Sequence, residues 1–314
     1  MRTLTGVSVK KTAAGDTVWS LVLVLFAMAW LGLAFTSLHA LPAQQVAEDS
    51  SAMPNLIISL SSVVLGSAYA GGCGAFLARG RWYRLPKAAM ALTGGAVVAV
   101  VVAVVSFLVL SRTPTAGITL AVVTALVALI GALPAVSPSR NVMAAALVAV
   151  VVLLLFMFLR GLFQNQLLGM ITRDPATYRW IGMAGGLVAG LCAGIAGFVT
   201  LRRRRGGTKL YGHLVAGALP GALWLVSEVA IRVAAGVLVA DATDIDILSD
   251  LLMGQTLEAN LNGALATLFA GGTTAVLAFG LLLPRPAAAP NRPVGAPRSA
   301  ADDTEPAAAD TGRA

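Results

Sequence analysis

The chain has 314 residues, of which 58% are hydrophobic and 11% charged, with two cysteines and a net charge of +8. Soluble domains carry about a quarter charged residues, and a chain this apolar has more nonpolar surface than one water-facing core can hide. The composition excludes an ordinary soluble fold and a disulfide framework, and the basic charge lies in short loops, where it reports topology rather than nucleic-acid binding.

In chain order, eight apolar runs are predicted to cross a bilayer as helices: Val18–Leu38, Leu56–Ala78, Ala88–Leu110, Gly117–Val136, Val142–Leu159, Ile181–Leu201, Leu214–Ala240 and Gly263–Leu283. Each is near the ~20 residues that span hydrocarbon. The runs are continuously apolar rather than alternating, which favours helices over a barrel. The first is too long for a signal-peptide core and is read as a retained span. The fold class is therefore all-α, a polytopic transmembrane bundle of about eight spans.

Charge sets the orientation. Arg2, Lys10 and Lys11 precede the first span, and Arg79, Arg81, Arg84 and Lys87 join the second to the third. Arg140, the run Arg202, Arg203, Arg204 and Arg205 with Lys209, and the arginines of the C-terminal tail fall on the same side. The opposite side holds Arg112, Arg160, Arg173 and Arg179 among acids. The positive-inside rule then puts both termini inside. Residues 1–17 form a cytoplasmic segment, 18–284 the transmembrane domain, and 285–314 a cytoplasmic tail whose Ala, Pro and Asp predict disorder. The localisation expected is a plasma membrane, bacterial by its Ala/Val/Arg-rich usage.

Three outside loops are long. His39–Asn55 carries Glu48 and Asp49. Gly161–Trp180 spaces Phe163, Leu167, Met170 and Ile171 like an interfacial helix. Asp241–Asn262 is acidic and partly helical around Ile245, Leu248, Leu251 and Leu252. The second and sixth spans each hold a cysteine among glycines before an arginine cluster, and the fourth and eighth run from Gly towards Pro134 and Pro284. The spacings differ, so this recurrence does not by itself establish a duplication.

Gly182, Gly186, Gly190 and Gly194 are three overlapping GxxxG steps on one helix face, a packing surface where hydrophobicity supplies no drive. Ser59, Ser62, Gly66, Tyr69 and Cys73 form one seam of the second span, either for packing or as a polar wall with Tyr69 facing it. The arginine run 202–205 suits anionic lipid head groups as well as topology.

The charged residues inside the seventh span matter most. Glu228 lies 12 residues before Ala240, roughly 18 Å at 1.5 Å per residue, which places it deep in the bilayer. Arg232 follows at i+4, and Trp224 precedes at i−4. The spacing predicts a neutralising Glu228–Arg232 pair on one face, with Trp224 beside it. Intramembrane charges are costly and usually mark a pathway, a relay or a partner contact. Pro220 is predicted to bend the helix below them.

No HExxH, GxSxG or Walker sequence occurs, and no cofactor or metal is expected. The acids of the last loop have no evident catalytic partner, so an enzyme is the weaker expectation. Two readings stay open. One is a transporter-like protein or permease subunit with Glu228, Arg232, Trp224 and Tyr69 at an intramembrane site. The other is a non-transporting subunit or scaffold that assembles with other membrane proteins, or with itself, through its glycine faces.

Overall fold

The computed structural model describes residues 5–40, 52–81, 86–111, 114–136, 139–163, 166, 175–204, 209–240 and 247–282. Among the described residues the regular structure is helical. The long helices are α1 (Thr5–His39), α2 (Ala52–Arg81), α3 (Lys87–Val109), α4 (Pro114–Ala132), α5 (Arg140–Leu162), α6 (Pro175–Arg203), α7 (Leu210–Ala240) and α8 (Ile247–Leu282), with a 3-10 turn Leu133–Val136 after α4. Local signals mark several boundaries. Pro114 and Pro175 occupy first helical positions, where a missing N–H costs nothing. Ser139 caps α5, its hydroxyl accepting from the Val142 N–H at 3.4 Å.

Eight helices are long and apolar enough to cross a membrane. Each expected span coincides with one of them to within a few residues at its ends, with two larger boundary corrections. The first helix starts at Thr5, so most of the expected N-terminal segment continues it. The last starts at Ile247, so most of the expected acidic outside loop is the opening of α8. A short acidic stretch does not stop a helix whose following residues are good helix formers and pack. The interfacial helix expected after Phe163 falls mostly outside the described residues, as do Arg205 and the tail.

The spans differ in what surrounds them. In α2, 72% of the most apolar window is buried inside the protein, against 22% in α3. Helix α2 is thus the central post of the first half, touching α1, α3 and α4 and reaching α5 and α7. Helix α3 turns Val97, Val100, Val101, Val104 and Leu108 outward, a surface suited to lipid chains.

Close helix packing rests on small residues. A methyl group at Gly182 would stand 3.0 Å from the Ala259 carbonyl oxygen, at Gly190 2.7 Å from that of Thr267, and at Gly194 2.6 Å from that of Gly271. At Gly186 it would overlap the backbone of Gly263. The GxxxG face of α6 is therefore pressed against α8, step by step. Thr267 fastens the seam, its hydroxyl lying 2.9 Å from the Gly186 carbonyl and 2.8 Å from that of Gly263.

The two halves have matching neighbours. The pairs α1–α2, α2–α3, α2–α4 and α3–α4 have counterparts in α5–α6, α6–α7, α6–α8 and α7–α8. Gly74 meets Gly94 between α2 and α3, and Gly197 meets Ala216 between α6 and α7. The displacement that carries Gly94 onto Ala216 also carries Ser106 onto Glu228. Ser106 is buried and its hydroxyl meets that of Thr124 at 3.1 Å. Several helix pairs thus recur between the halves, although the close α5–α7 contact has no equal in α1–α3.

One ion pair joins helices among the described residues, Arg179 of α6 to Glu258 of α8 at 3.1 Å. Both side chains are more than 40% exposed. Solvent or head groups screen such a pair, so Arg179→Ala is expected to cost no more than about 1 kcal/mol. Thermal unfolding of the detergent-solubilised protein checks this, and a larger loss would mean the pair organises the α6–α8 ends.

Candidate functional site: a buried carboxyl between the two halves

Helix α7 packs against α2 and carries Trp224, Ser227, Glu228 and Ile231 inward. Pro220 lies inside α7 without ending it. Its ring supplies no N–H to the Ala216 carbonyl, and the adjacent glycines are in tight contact with α8, Gly217 against Gly271 and Gly221 against Leu268. That contact holds the lower part of α7 while the turns above it present Trp224 and Glu228.

Glu228 is wholly buried. The Trp224 indole N–H, one turn earlier on the same helix, donates to Glu228 Oε1 at 2.9 Å. Ser61 of α2 and Asn260 of α8 approach the same carboxyl. Neither makes a hydrogen bond of good geometry to it, and both Glu228 Oε2 and Ser61 Oγ are buried without a partner. Two buried, unsatisfied polar atoms are costly unless something else completes them.

Glu228 and Ser61 both line a cavity of about 30 Å³. Its walls come from six helices: Trp30 of α1, Ile58, Ser61, Ser62 and Leu65 of α2, Met157, Arg160 and Gly161 of α5, Tyr178 of α6, Trp224 and Glu228 of α7, and Asn260 of α8. One water needs about 10–15 Å³ of such volume and two or more polar partners, so the cavity has room and chemistry for about two. The Trp30 indole is held by donating to the Ser62 carbonyl at 3.2 Å, in the space that Gly66 leaves open. The Arg160 end of the cavity is where α5 ends and α6 begins. There Arg160 Nη2 lies 3.5 Å from the Tyr178 hydroxyl, which accepts a long hydrogen bond.

The expected Glu228–Arg232 pair does not form. Arg232 is exposed and Ile231 takes the buried position beside it. Four residues advance a helix by a turn and about 40°, enough at the edge of a packed face to carry a side chain outside. The basic group whose charge acts on Glu228 is Arg160, on another helix. Tyr69 is also displaced from its expected place. It is fully buried, donates to the Leu23 carbonyl at 3.3 Å and meets the Phe26 ring edge-on. Cys73 bonds the same carbonyl, so Tyr69 and Cys73 join α1 to α2 and do not line the cavity, whereas Ser62 of the same seam does.

Sequence reasoning missed Ser61, Asn260, Arg160, Trp30 and Tyr178. Ser61 sits one residue off the seam that was singled out. Asn260 was assigned to an outside loop, and Arg160 to the flank of its span. No spacing rule links residues on six helices.

Arg202 and Arg203 are exposed in the last turn of α6. Among the described residues no cluster of three His, Cys, Asp or Glu has metal-binding spacing.

No family model matches the chain, and no curated protein or solved structure matches it either. The class comes from its own architecture. Eight helices of spanning length make it a multi-pass membrane protein, with a buried acid where its two halves meet.

Proposed function

We propose that the protein is a transporter-like carrier or permease subunit of the cytoplasmic membrane, and that Glu228 is its proton-binding group. The observation that carries this reading is a wholly buried carboxyl, one oxygen unpartnered, on a residue that lines a cavity. A buried acid needed only for packing would be expected to have both oxygens satisfied. Ionisable groups kept inside membranes usually serve a pathway or relay. A metal cation would need about six oxygens around it. Glu228, Ser61 and Asn260 offer too few, and Arg160 would repel it. A proton needs no such cage.

The position of the site supports the same reading. Parallel repeats in carriers place their sites between the halves, so that rocking one half on the other changes access. Here α2 and α7 meet at Ser61 and Glu228. Both termini lie inside in this reading, so the Arg160 end of the cavity faces outside. The exposed arginines at the end of α6 then lie at the inner leaflet, where they suit anionic head groups.

The second reading, a non-transporting subunit or scaffold, is favoured by Arg232. A charge exposed on the outer wall of a spanning helix is costly against lipid and is relieved by a partner or by a head group.

Cysteine accessibility separates the two. In a Cys73→Ala, Cys192→Ala background, Glu228→Cys is expected to react with a small membrane-impermeant thiol reagent added from the Arg160 side. A cysteine that reacts from neither side, in a protein that still inserts, would mean a dry packed core and would leave the subunit reading in place.

A further inference from the structure

We propose that the cavity between Arg160 and Glu228 binds a small planar monovalent oxyanion, of the size of nitrate or formate, together with a proton on Glu228. The inference rests on the carrier reading and names what the carrier holds.

The argument begins with the donors. Arg160 lines the cavity and acts electrostatically on Glu228, yet forms no ion pair with it. Its guanidinium carries five N–H donors in a plane, and among the described residues its one hydrogen bond is the long contact to Tyr178. A planar fork matches a planar oxyanion, which can accept two parallel bonds. Ser61 adds a second donor. It is 92% buried by its 8% exposure, lines the cavity, and its hydroxyl has no partner. The Asn260 amide, 3% exposed, adds a third.

Size and shape narrow the class. A volume of about 30 Å³ is about two waters, which an anion of three or four heavy atoms can replace. Trp30, Leu65, Met157 and Trp224 close the rest of the wall with apolar surface. A larger organic solute has no room. A cation meets Arg160.

Glu228 makes binding conditional. Ionised, its free Oε2 would face the anion with a like charge. Protonated, the same oxygen becomes an O–H donor available to the site. The anion and the proton therefore favour each other's binding, and by linkage the effect is reciprocal. One proton and one monovalent anion bind together, so the loaded site gains no net charge. No bond is made or broken except the O–H of the carboxyl.

The test uses the full chain in lipid nanodiscs and follows tryptophan fluorescence, since Trp30 and Trp224 line the cavity. Sodium nitrate and sodium formate are the two probes, each titrated across a range of pH. Binding of either is expected to tighten as pH falls. Binding of nitrate alone assigns the site to inorganic oxyanions, and of formate alone to carboxylates. Arg160→Gln is expected to weaken affinity about tenfold or more, the worth of a charge-assisted hydrogen bond. Ser61→Ala, which removes only a hydroxyl, should weaken it several-fold while leaving the fold intact. Glu228→Gln keeps a donor at the same place and should bind with no pH dependence.

In vesicles enclosing a pH dye, an inward nitrate gradient should acidify the lumen with the native protein. If neither anion binds at any pH, or if Arg160→Gln and Ser61→Ala bind as the native protein does, the proposal is overturned. Labelling of Glu228→Cys together with absence of binding would remove the anion and keep the water-accessible acid. Absence of labelling would remove the carrier reading itself.

Discussion

Gly186→Leu is expected to prevent α6 and α8 from packing, the largest effect of any single substitution considered for this protein. The first atom of the new side chain would overlap the Gly263 carbonyl oxygen and stand 2.7 Å from Gly263 Cα and 2.8 Å from its carbonyl carbon. These are backbone atoms in the middle of a helix, so no rotamer change relieves the clash. Overpacking in a well-packed interior commonly costs about 1–3 kcal/mol when side chains can shift, and more where they cannot. Here the two helices must separate. That also breaks the Thr267 bond to Gly186 and opens the contacts of Gly182, Gly190 and Gly194. Membrane helices lack a hydrophobic drive to hold them together once close packing is gone. Size-exclusion profiles and thermal unfolding in detergent should show loss of the monodisperse protein. Gly236→Leu is the matched control. Nothing lies within 4 Å of the position a Cβ would take there, and folding should be unchanged. Equal behaviour of the two variants would contradict the α6–α8 contact.

The second large effect concerns the acid and its indole. Glu228→Gln keeps an oxygen to accept from Trp224 and should change stability by less than about 1 kcal/mol, while removing any proton-linked activity. Glu228→Leu is different. It leaves the Trp224 N–H buried without an acceptor, at a cost of about 1–3 kcal/mol. Adding Trp224→Phe removes the stranded donor, and the double variant should recover most of that loss, because paired apolar replacements of buried polar groups are often neutral. A thermal-unfolding double-mutant cycle reads this directly. A strongly destabilised Glu228→Gln would show that the carboxyl's charge holds the bundle together. The structural reading would then prevail over the carrier reading.

The position of the acid within α7, and its i, i+4 relation to Trp224, were legible because both live on one helix. A 3.6-residue period is a property of the chain and needs no tertiary contact. The same reasoning misplaced Arg232, since local spacing says which residues neighbour one another on a helix and not where the packed face ends. Tyr69 shows a further limit. Its seam was visible, but whether a seam meets a cavity or another helix depends on which helix lies across from it. Ser61, Asn260 and Arg160 were beyond reach for that reason, coming from α2, α8 and α5. The opening of α8 reads in sequence as an outside loop that is only partly helical, because acidic residues obscure an apolar pattern, although they do not prevent a helix whose later turns pack.

By itself the sequence determined that lipid is this protein's solvent, that about eight helices cross it, and that one face of α6 would be a packing surface. Those conclusions rest on composition, run length and small-residue spacing, each of which acts within one segment. Tertiary structure alone decided that Glu228 faces Ser61 and Asn260, that Arg160 rather than Arg232 shares its cavity, and that the glycines of α6 meet α8. Segments far apart in the chain make these contacts, and their pairing is set by which helix surfaces can approach closely.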